Sequence, residues 1–180
     1  MIKLKTLLEI TNNDLQQLLD KIQKKEFTFI ASGDNGKVYQ INDEDKCFKI
    51  TGDYNEIEVA SVIVGRQQEF SCFIPIYYVN EKQNLIIMAN ANTLPERYRN
   101  SINEFLTGYK QYSREMQGES SIFDYLDADG ARNADIDVVN FLRALQRDIQ
   151  RTGIDDLELD LDFSADNCMM WSGKIVLVDW

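Results

Sequence analysis

The sequence DFSADNCMMWSGKIVLVDW occupies residues 162–180. Within it, Asp162 stands five residues before Asn167, and two short apolar runs follow with Ser172-Gly173 between them. Apolar runs that flank a Ser-Gly pair are typical of a β-hairpin. The second run ends at Asp179. The segment therefore predicts a hairpin with an Asp and an Asn just before its first strand and a further Asp at the end of its second strand.

Length and composition are those of a single globular domain. The chain has 180 residues, of which 44% are hydrophobic and 11% aromatic, and a chain of this length can build a substantial core. No apolar run approaches the ~20 residues that span a bilayer, so no membrane association is expected. The three scattered cysteines lack C-x-x-C spacing and fit neither a disulfide framework nor a structural zinc site. A cytoplasmic location is therefore expected.

Charge and the absence of histidine exclude several classes of function. The formal net charge is −11, and an acidic chain lacks the clustered Lys and Arg that bind a nucleic-acid backbone. No nucleic-acid partner is therefore expected. Without any histidine, Ser-His and Cys-His nucleophile pairs and His-ligated metal sites are excluded. Acid–base chemistry falls to carboxylates, with Lys, Tyr and Cys as the other candidates.

The N-terminal half of the chain predicts a helix followed by strands. Thr11 begins the helix with Asp14 three residues later, as in a capping box. From Glu26 the apolar residues alternate at the period of strands. Lys49 falls in the third strand and shares a face with Cys47, because side chains alternate along a strand. Five strands are expected in this half: residues 27–32, 37–41, 46–50, 72–80 and 84–89.

The third and fourth strands enclose a predicted helix from Asp53 to Gln68. Glu56 lies at the edge of its broad apolar face, and Glu58 lies on the more polar side. An acid on an apolar face needs a partner, so Glu56 is the first choice for a specific contact and Glu58 the second. An acid that is merely solvated on the helix surface is the alternative.

The second half of the chain predicts mainly helices. Residues 96–117 and 137–151 each carry an apolar stripe at helical spacing. Residues 90–95 have the composition of a linker, and Pro95 suits the first turn of the helix that follows. Residues 118–135, rich in Ser, Asp and Gly, are expected to form a loop with at most a short helical turn at 122–126.

Taken in order, these features resemble the protein kinases. The turn ASGDNGKVY at residues 31–39 is similar to the kinase glycine-rich loop G-x-G-x-x-G-x-V, with Ala in place of the first glycine. A strand Lys, a helix Glu, a D-x-x-x-x-N segment and a hairpin that ends in Asp follow in the kinase order. The resemblance runs from about Phe27 to Trp180. It is greatest to the short protein kinases made early in infection by short-tailed lytic bacteriophages.

The resemblance implies an α+β, two-lobed fold in a single kinase-like domain over residues 1–180. An N-lobe with a five-stranded antiparallel sheet and one helix would precede a reduced, mostly helical C-lobe that ends at the metal-binding Asp. The implied boundaries are a helical extension at 1–25, an N-lobe at 26–89, a hinge at 90–95 and a C-lobe at 96–180.

The same resemblance implies roles for individual residues, with ATP and Mg²⁺ as cofactors. Lys49 would position phosphates, Glu56 would orient Lys49, and Asp162 would orient or deprotonate the acceptor hydroxyl. Asn167 and Asp179 would hold Mg²⁺. The residues expected to bind ATP are Gly33, Asp34, Asn35, Gly36, Val38, Cys47, Met88, Ala89 and Ala91.

Two departures from the kinase pattern affect the expected substrate. Asp160-Leu161 replaces the usual His-Arg before the loop Asp, and D-F-G is reduced to Asp179-Trp180. No activation segment or A-P-E follows, so a conventional peptide-docking surface is expected to be absent unless the chain is a truncated or processed form. The C-terminal Trp180 beside a shortened lobe would suit the interface of a homodimer; packing on the core of its own chain is the alternative.

The expected function is that of a minimal Ser/Thr protein kinase, dependent on ATP and Mg²⁺, which phosphorylates bacterial host proteins in the host cytoplasm. Two alternatives stay open. Val178-Asp179-Trp180 resembles the I-D-W of small-molecule phosphotransferases of the aminoglycoside or choline kinase type. The second alternative is a catalytically silent kinase-like protein that binds a partner through its acidic surface.

Overall fold

The fold is described from a computed structural model that covers residues 11–33, 35–152 and 163–179. The chain divides into a first unit, Met1–Asn90, and a second unit, Ala91–Trp180. The first unit holds a five-stranded sheet and two long helices, and the second holds a three-stranded sheet and several helices. The α+β class predicted from the sequence is confirmed.

The first unit begins with helix α1, Asn12–Gln23, whose predicted capping box between Thr11 and Asp14 is present. Five antiparallel strands follow in the spatial order β1-β2-β3-β5-β4, which confirms the predicted sheet. Helix α2, Tyr54–Ile63, connects β3 to β4. The strands are β1 Phe27–Ser32, β2 Gly36–Ile41, β3 Lys46–Thr51, β4 Ile76–Asn80 and β5 Leu85–Ala89.

The two faces of this sheet have different roles. Side chains directly opposite each other on paired strands share a face. On one face, Phe48 packs with Leu18 of α1 in an apolar cluster. The other face carries Lys49, which pairs with Glu56 of α2. We call it the α2 face; it is defined by Val38, Cys47, Lys49, Ile86 and Met88, which the strand register places together.

Two predicted boundaries in the first unit are wrong. Helix α2 ends at Ile63 and not at Gln68, because Val64 leaves the helical conformation with ψ 130° and Gly65 takes φ +71°. A positive φ of this kind favours glycine and ends a helix. Strand β4 begins at Ile76, directly after Pro75, and not at Cys72. Proline cannot donate to a strand ladder, so the first position before a strand suits it.

The second unit contains a small antiparallel sheet in the order β6-β7-β8. The predicted hairpin is confirmed as β7, Cys168–Trp171, and β8, Lys174–Leu177. Its turn residues Ser172 and Gly173 both have positive φ, as the turn of a two-residue hairpin requires. Within the expected linker, Asn92–Thr93 forms a short strand, β6, that pairs with Met169 and Met170 and that the sequence does not predict.

The second unit contains more helix than the sequence predicts, in the region between its two long helices. Helices α3, Glu96–Glu115, and α6, Ile136–Thr152, agree with the predicted long helices. Within 118–135, the short helical turn predicted at 122–126 is present as α4, Ile122–Tyr125. The rest of the expected loop is wrong in part, because a π-helical turn, Leu126–Gly130, and α5, Ala131–Asn133, continue the helical run.

A capping box explains where that helical run begins. Ser121 Oγ accepts from the N–H of Asp124 at 3.1 Å, and the Asp124 carboxylate accepts from the N–H of Ser121 at 2.7 Å. The N–H and the hydroxyl of Ser121 both donate to this carboxylate, and they hold the pKa of the Asp124 carboxyl below its usual value. Tyr125, 8% exposed, packs with its ring 5.1 Å from that of Phe105. Local capping and tertiary packing together override the loop-like composition.

Gly108 of α3 makes room for Tyr125, and this gives a stability prediction. A Cβ at Gly108 would lie 2.8 Å from Cζ of Tyr125. In an open helix, Gly→Ala stabilises by about 1 kcal/mol, but overpacking a filled site costs about 1–3 kcal/mol. The two effects oppose each other, so we expect Gly108→Ala to lower the free energy of unfolding by up to about 2 kcal/mol in urea denaturation. Asn103→Ala, at an exposed site of the same helix, should raise it slightly. A Gly108→Ala protein as stable as Asn103→Ala would contradict this packing.

Candidate functional site

The centre of the candidate site is a buried ion pair in the first unit. Nζ of Lys49 lies 2.6 Å from Oε1 of Glu56, and the two side chains are only 7% and 1% exposed. The register holds Lys49 between Val38 of β2 and Ile86 of β5. Asp53 caps α2 and starts the turn that carries Glu56. The acid that meets Lys49 is thus Glu56, the first choice from the sequence, and not Glu58.

Such a pair is costly to build for stability alone. Removing an ammonium and a carboxylate from water carries a desolvation cost that their mutual attraction rarely exceeds by much, and apolar residues of similar size often stabilise a fold better. A buried lysine held by a carboxylate presents a positive charge at a fixed place on the α2 face. Fixed positive charge is what the binding and transfer of a polyphosphate require.

The glycine-containing turn lies directly beside this charge. The N–H of Gly33 donates to the carbonyl of Gly36 at 3.0 Å. A Cβ on Gly36 would lie 2.8 Å from the carbonyl oxygen of Ile50 and 2.9 Å from Cε of Lys49. Glycine is therefore required at position 36 by the close approach of β3. At Gly33 an added Cβ would meet nothing within 4 Å. Asp34, also predicted to contact ATP, lies outside the described residues.

Three of the predicted ATP-binding residues form an apolar part of the α2 face. Cys47 pairs with Met88, and Val38 pairs with Lys49, so the apolar side chains lie next to the lysine. Met88 and Cys47 are both 5% exposed. Ala89 lies on the other face, its N–H donates to the carbonyl of Pro75 at 3.0 Å, and its carbonyl accepts from Sγ of Cys47 at 3.5 Å. Ala91 belongs to the second unit.

Cys47 is expected to be unreactive in the folded protein. Burial raises the pKa of its thiol to about 12, and the nucleophile in alkylation is the thiolate. At pH 8 only about one thiol in 10⁴ would be ionised. We expect no alkylation of Cys47 by iodoacetamide at pH 8 without denaturant and full alkylation in guanidinium, as read by peptide mass spectrometry. Rapid labelling of the native protein would contradict the buried position.

The second unit brings together the two predicted metal ligands. The N–H of Val178 donates to the carbonyl of Asn167 at 2.9 Å, so that Asn167 and Asp179 stand at the same open end of the β7–β8 hairpin. Both residues are half-buried. An amide oxygen and a carboxylate are the hard oxygen ligands that Mg²⁺ prefers. Asp162 and Trp180 lie outside the described residues, and so do the Asp160-Leu161 pair.

Two contacts that the sequence does not reveal anchor the segment before this hairpin. Asp166 forms an ion pair with Arg99 of α3. Phe163 packs on Phe141 of α6 with ring centroids 6.0 Å apart. Local sequence patterns do not predict either contact, because each joins residues that are far apart in the chain. Through these two contacts, α3 and α6 hold the segment that precedes Asn167 in place.

Within residues 11–33, 35–152 and 163–179, no group of three or more Cys, Asp or Glu side chains is arranged to hold a metal ion. Magnesium is commonly bound through one or two carboxylates plus substrate phosphates, so Asn167 and Asp179 suit that metal. The helices in the same ranges are all too short or too polar to cross a bilayer.

No protein-family model matches the sequence, and no curated protein matches it. Among solved structures, the chain is similar to the aminoglycoside phosphotransferase APH(2″)-IIa in its ternary complex with streptomycin and ATP. The likeness covers 96% of this chain and 71% of that one, with 12% identity and a TM-score of 0.34.

Proposed function

We propose that the chain is a phosphotransferase dependent on ATP and Mg²⁺, and specifically a minimal Ser/Thr protein kinase that acts on bacterial host proteins in the cytoplasm. The observation that carries this proposal is the buried Lys49–Glu56 pair, with Nζ and Oε1 2.6 Å apart. The pair lies beside a glycine that no other residue could replace without displacing the lysine.

In this proposal each residue of the first unit has a distinct task. Lys49 positions the α- and β-phosphates of ATP, and Glu56 keeps the ammonium from turning away. Gly36 lets the backbone of β2 approach β3 closely, so that the turn lies over the lysine. Val38, Cys47 and Met88 supply the apolar surface on which adenine would rest, since nucleotide sites combine apolar walls with few polar groups.

The second unit would contribute the metal ligands and the residue nearest the acceptor. Asn167 and Asp179 would hold Mg²⁺, which supplies charge neutralisation to the phosphates when bound. Asp162 orients or deprotonates the acceptor hydroxyl in the proposal. Arg99 and Phe141 steady the segment from Phe163 to Asn167. This support matters because reacting groups must be held close to their productive geometry.

A protein acceptor is proposed because the sequence from Asp162 to Met169 resembles the catalytic-loop sequence of the short bacteriophage kinases. A small-molecule acceptor is the second candidate, and the observation that favours it is Val178-Asp179-Trp180, which resembles the I-D-W of antibiotic and choline phosphotransferases. Both candidates use the same ATP and Mg²⁺ chemistry, so one experiment with several acceptors can separate them.

The test is transfer of labelled γ-phosphate from Mg-ATP by the wild type, Asp162→Ala and Lys49→Met. Lys46→Met is the matched control, because Lys46 lies on the same strand but its Nζ sits 5.4 Å from the ring centre of Tyr77. Bacterial lysate, an aminoglycoside and choline serve as acceptors. We expect labelled protein bands with the wild type and with Lys46→Met, and none with the other two variants.

The acceptor that carries label decides between the alternatives. Label on an aminoglycoside or on choline, with none on protein, would replace the protein-kinase proposal by the small-molecule one. Absence of label on every acceptor would overturn the enzyme proposal and favour a kinase-like binding protein. Equal label from Lys49→Met and wild type would show that the ion pair has no part in transfer.

A further inference from the structure

Asp53 connects the glycine-containing turn with the start of α2. As the N-cap of α2, its Oδ1 accepts from the N–H of Asn55 at 2.9 Å. Its Oδ2 accepts from Nδ2 of Asn35 at 3.2 Å. One carboxylate thus holds the helix with one oxygen and the turn with the other.

The backbone of Asn35 is held at the same place. Its carbonyl accepts from the N–H of Gly52 at 2.6 Å and from Oγ of Thr51 at 3.4 Å. Oγ of Thr51 in turn accepts from the N–H of Asp53 at 3.1 Å, and Thr51 is only 2% exposed. Asn35 is therefore fixed through its main chain and its side chain, and both sets of contacts lead to Asp53.

These contacts form a closed ring with the ion pair. Gly36, the residue after Asn35, lies against Cε of Lys49. Lys49 pairs with Glu56, and Glu56 stands one helical turn after Asp53. Each member of the ring is linked to the next by a hydrogen bond, an ion pair, direct packing or the chain itself. A shift at Asn35 is therefore transmitted both to Gly36 and to the first turn of α2.

We propose that Asp53 is a positioning residue that sets the spacing between the glycine-containing turn and Glu56, and through Glu56 the place of Lys49. The inference rests on the proposed function, because the placing of Lys49 matters for transfer only if the protein binds ATP. The main evidence is the division of the two carboxylate oxygens between Asn35 and Asn55, which N-capping alone does not require. Capping needs one acceptor atom only.

The test is a double-mutant cycle with Asn35→Ala and Asp53→Ser. Serine caps a helix about as well as aspartate, but its single hydroxyl cannot serve Asn55 and Asn35 together. Asn42→Ala is the matched control, since Asn42 is an exposed asparagine whose Oδ1 accepts from Oγ of Thr28, away from the ring. The readouts are KM for ATP in phosphate transfer and the amide resonances of Lys49 and Glu56 in ATP-free protein.

We expect each single variant to raise KM for ATP about threefold to tenfold, the range for loss of one hydrogen bond. The double variant should be no worse than the poorer single one, because both remove the same link. The resonances of Lys49 and Glu56 should move in Asn35→Ala and stay in place in Asn42→Ala. Additive effects on KM, or unmoved resonances, would overturn the proposal.

The two readouts also separate this inference from the proposed function. Movement of the Glu56 resonance upon Asn35→Ala upholds the positioning role of the ring without any reference to ATP. If those resonances move while the wild type transfers no phosphate, the ring stands and the proposed function fails. If phosphate is transferred but the resonances do not respond, the function stands and the role of Asp53 is overturned.

Discussion

Replacing Glu56 by alanine is expected to abolish phosphate transfer and to lower the free energy of unfolding by about 3–5 kcal/mol, because it leaves a buried ammonium without its carboxylate. This is a large share of the stability of an ordinary domain. The measurements are urea denaturation and transfer of labelled phosphate. Glu58→Ala is the matched control, as Glu58 lies two residues along the same helix and is half-buried. It should change stability by less than about 1 kcal/mol.

A double variant separates stability from activity at this site. In Lys49→Met with Glu56→Leu, two apolar side chains of similar size replace the ion pair, and such replacements are often neutral or stabilising. We therefore expect the double variant to unfold at about the urea concentration of the wild type and to remain inactive. Equal losses from Glu58→Ala and Glu56→Ala, or full activity in the double variant, would contradict the role assigned to the pair.

Replacing Gly36 by alanine is expected to reduce phosphate transfer by about 10²-fold, the size of effect that a misplacement of about 1 Å produces. The added Cβ would lie 2.8 Å from the carbonyl of Ile50, which is backbone, and 2.9 Å from Cε of Lys49. Relieving both contacts requires β2 to move away from β3 at this point and the Lys49 side chain to shift, so the lysine leaves its place. The assay is kcat/KM for ATP.

Gly33→Ala provides the comparison for this prediction. An added Cβ at Gly33 would meet nothing within 4 Å, so the thermal midpoint of that variant should equal that of the wild type. Gly36→Ala should lower the midpoint, since overpacking costs about 1–3 kcal/mol. If the two variants have the same midpoint, the close approach of β2 to Lys49 is not as described.

The sequence predicts those features of the fold that local pattern determines. The capping box at Thr11 and the alternation in strands β1 to β3 depend on neighbouring residues, and the structure contains them where expected. The hairpin β7–β8 follows from the Ser172-Gly173 turn in the same way. The contact between Lys49 and Glu56 was expected from the resemblance to kinases and is present. The catalytic and metal-binding roles of individual residues stay predictions.

Features that depend on tertiary contacts were not predictable. The short helical turn predicted at 122–126 is present, but its continuation to Asn133 was not predicted, because the Ser, Asp and Gly content of this segment hides the packing of Tyr125 against Gly108. The strand Asn92–Thr93 exists only through its pairing with β7. The hydrogen bond between Asn35 and Asp53 joins positions 18 residues apart, and no local sequence pattern indicates that these two side chains are in contact.

Ligand stabilisation measures, without any acceptor, whether the Lys49–Glu56 pair forms an ATP site. A ligand that binds only the folded state at about 100 times its Kd adds about 2.7 kcal/mol to the free energy of unfolding. We predict that saturating Mg-ATP raises the thermal midpoint of the wild type and of Lys46→Met but leaves that of Lys49→Met unchanged. An unchanged midpoint in the wild type, or the same increase in Lys49→Met, would contradict the account.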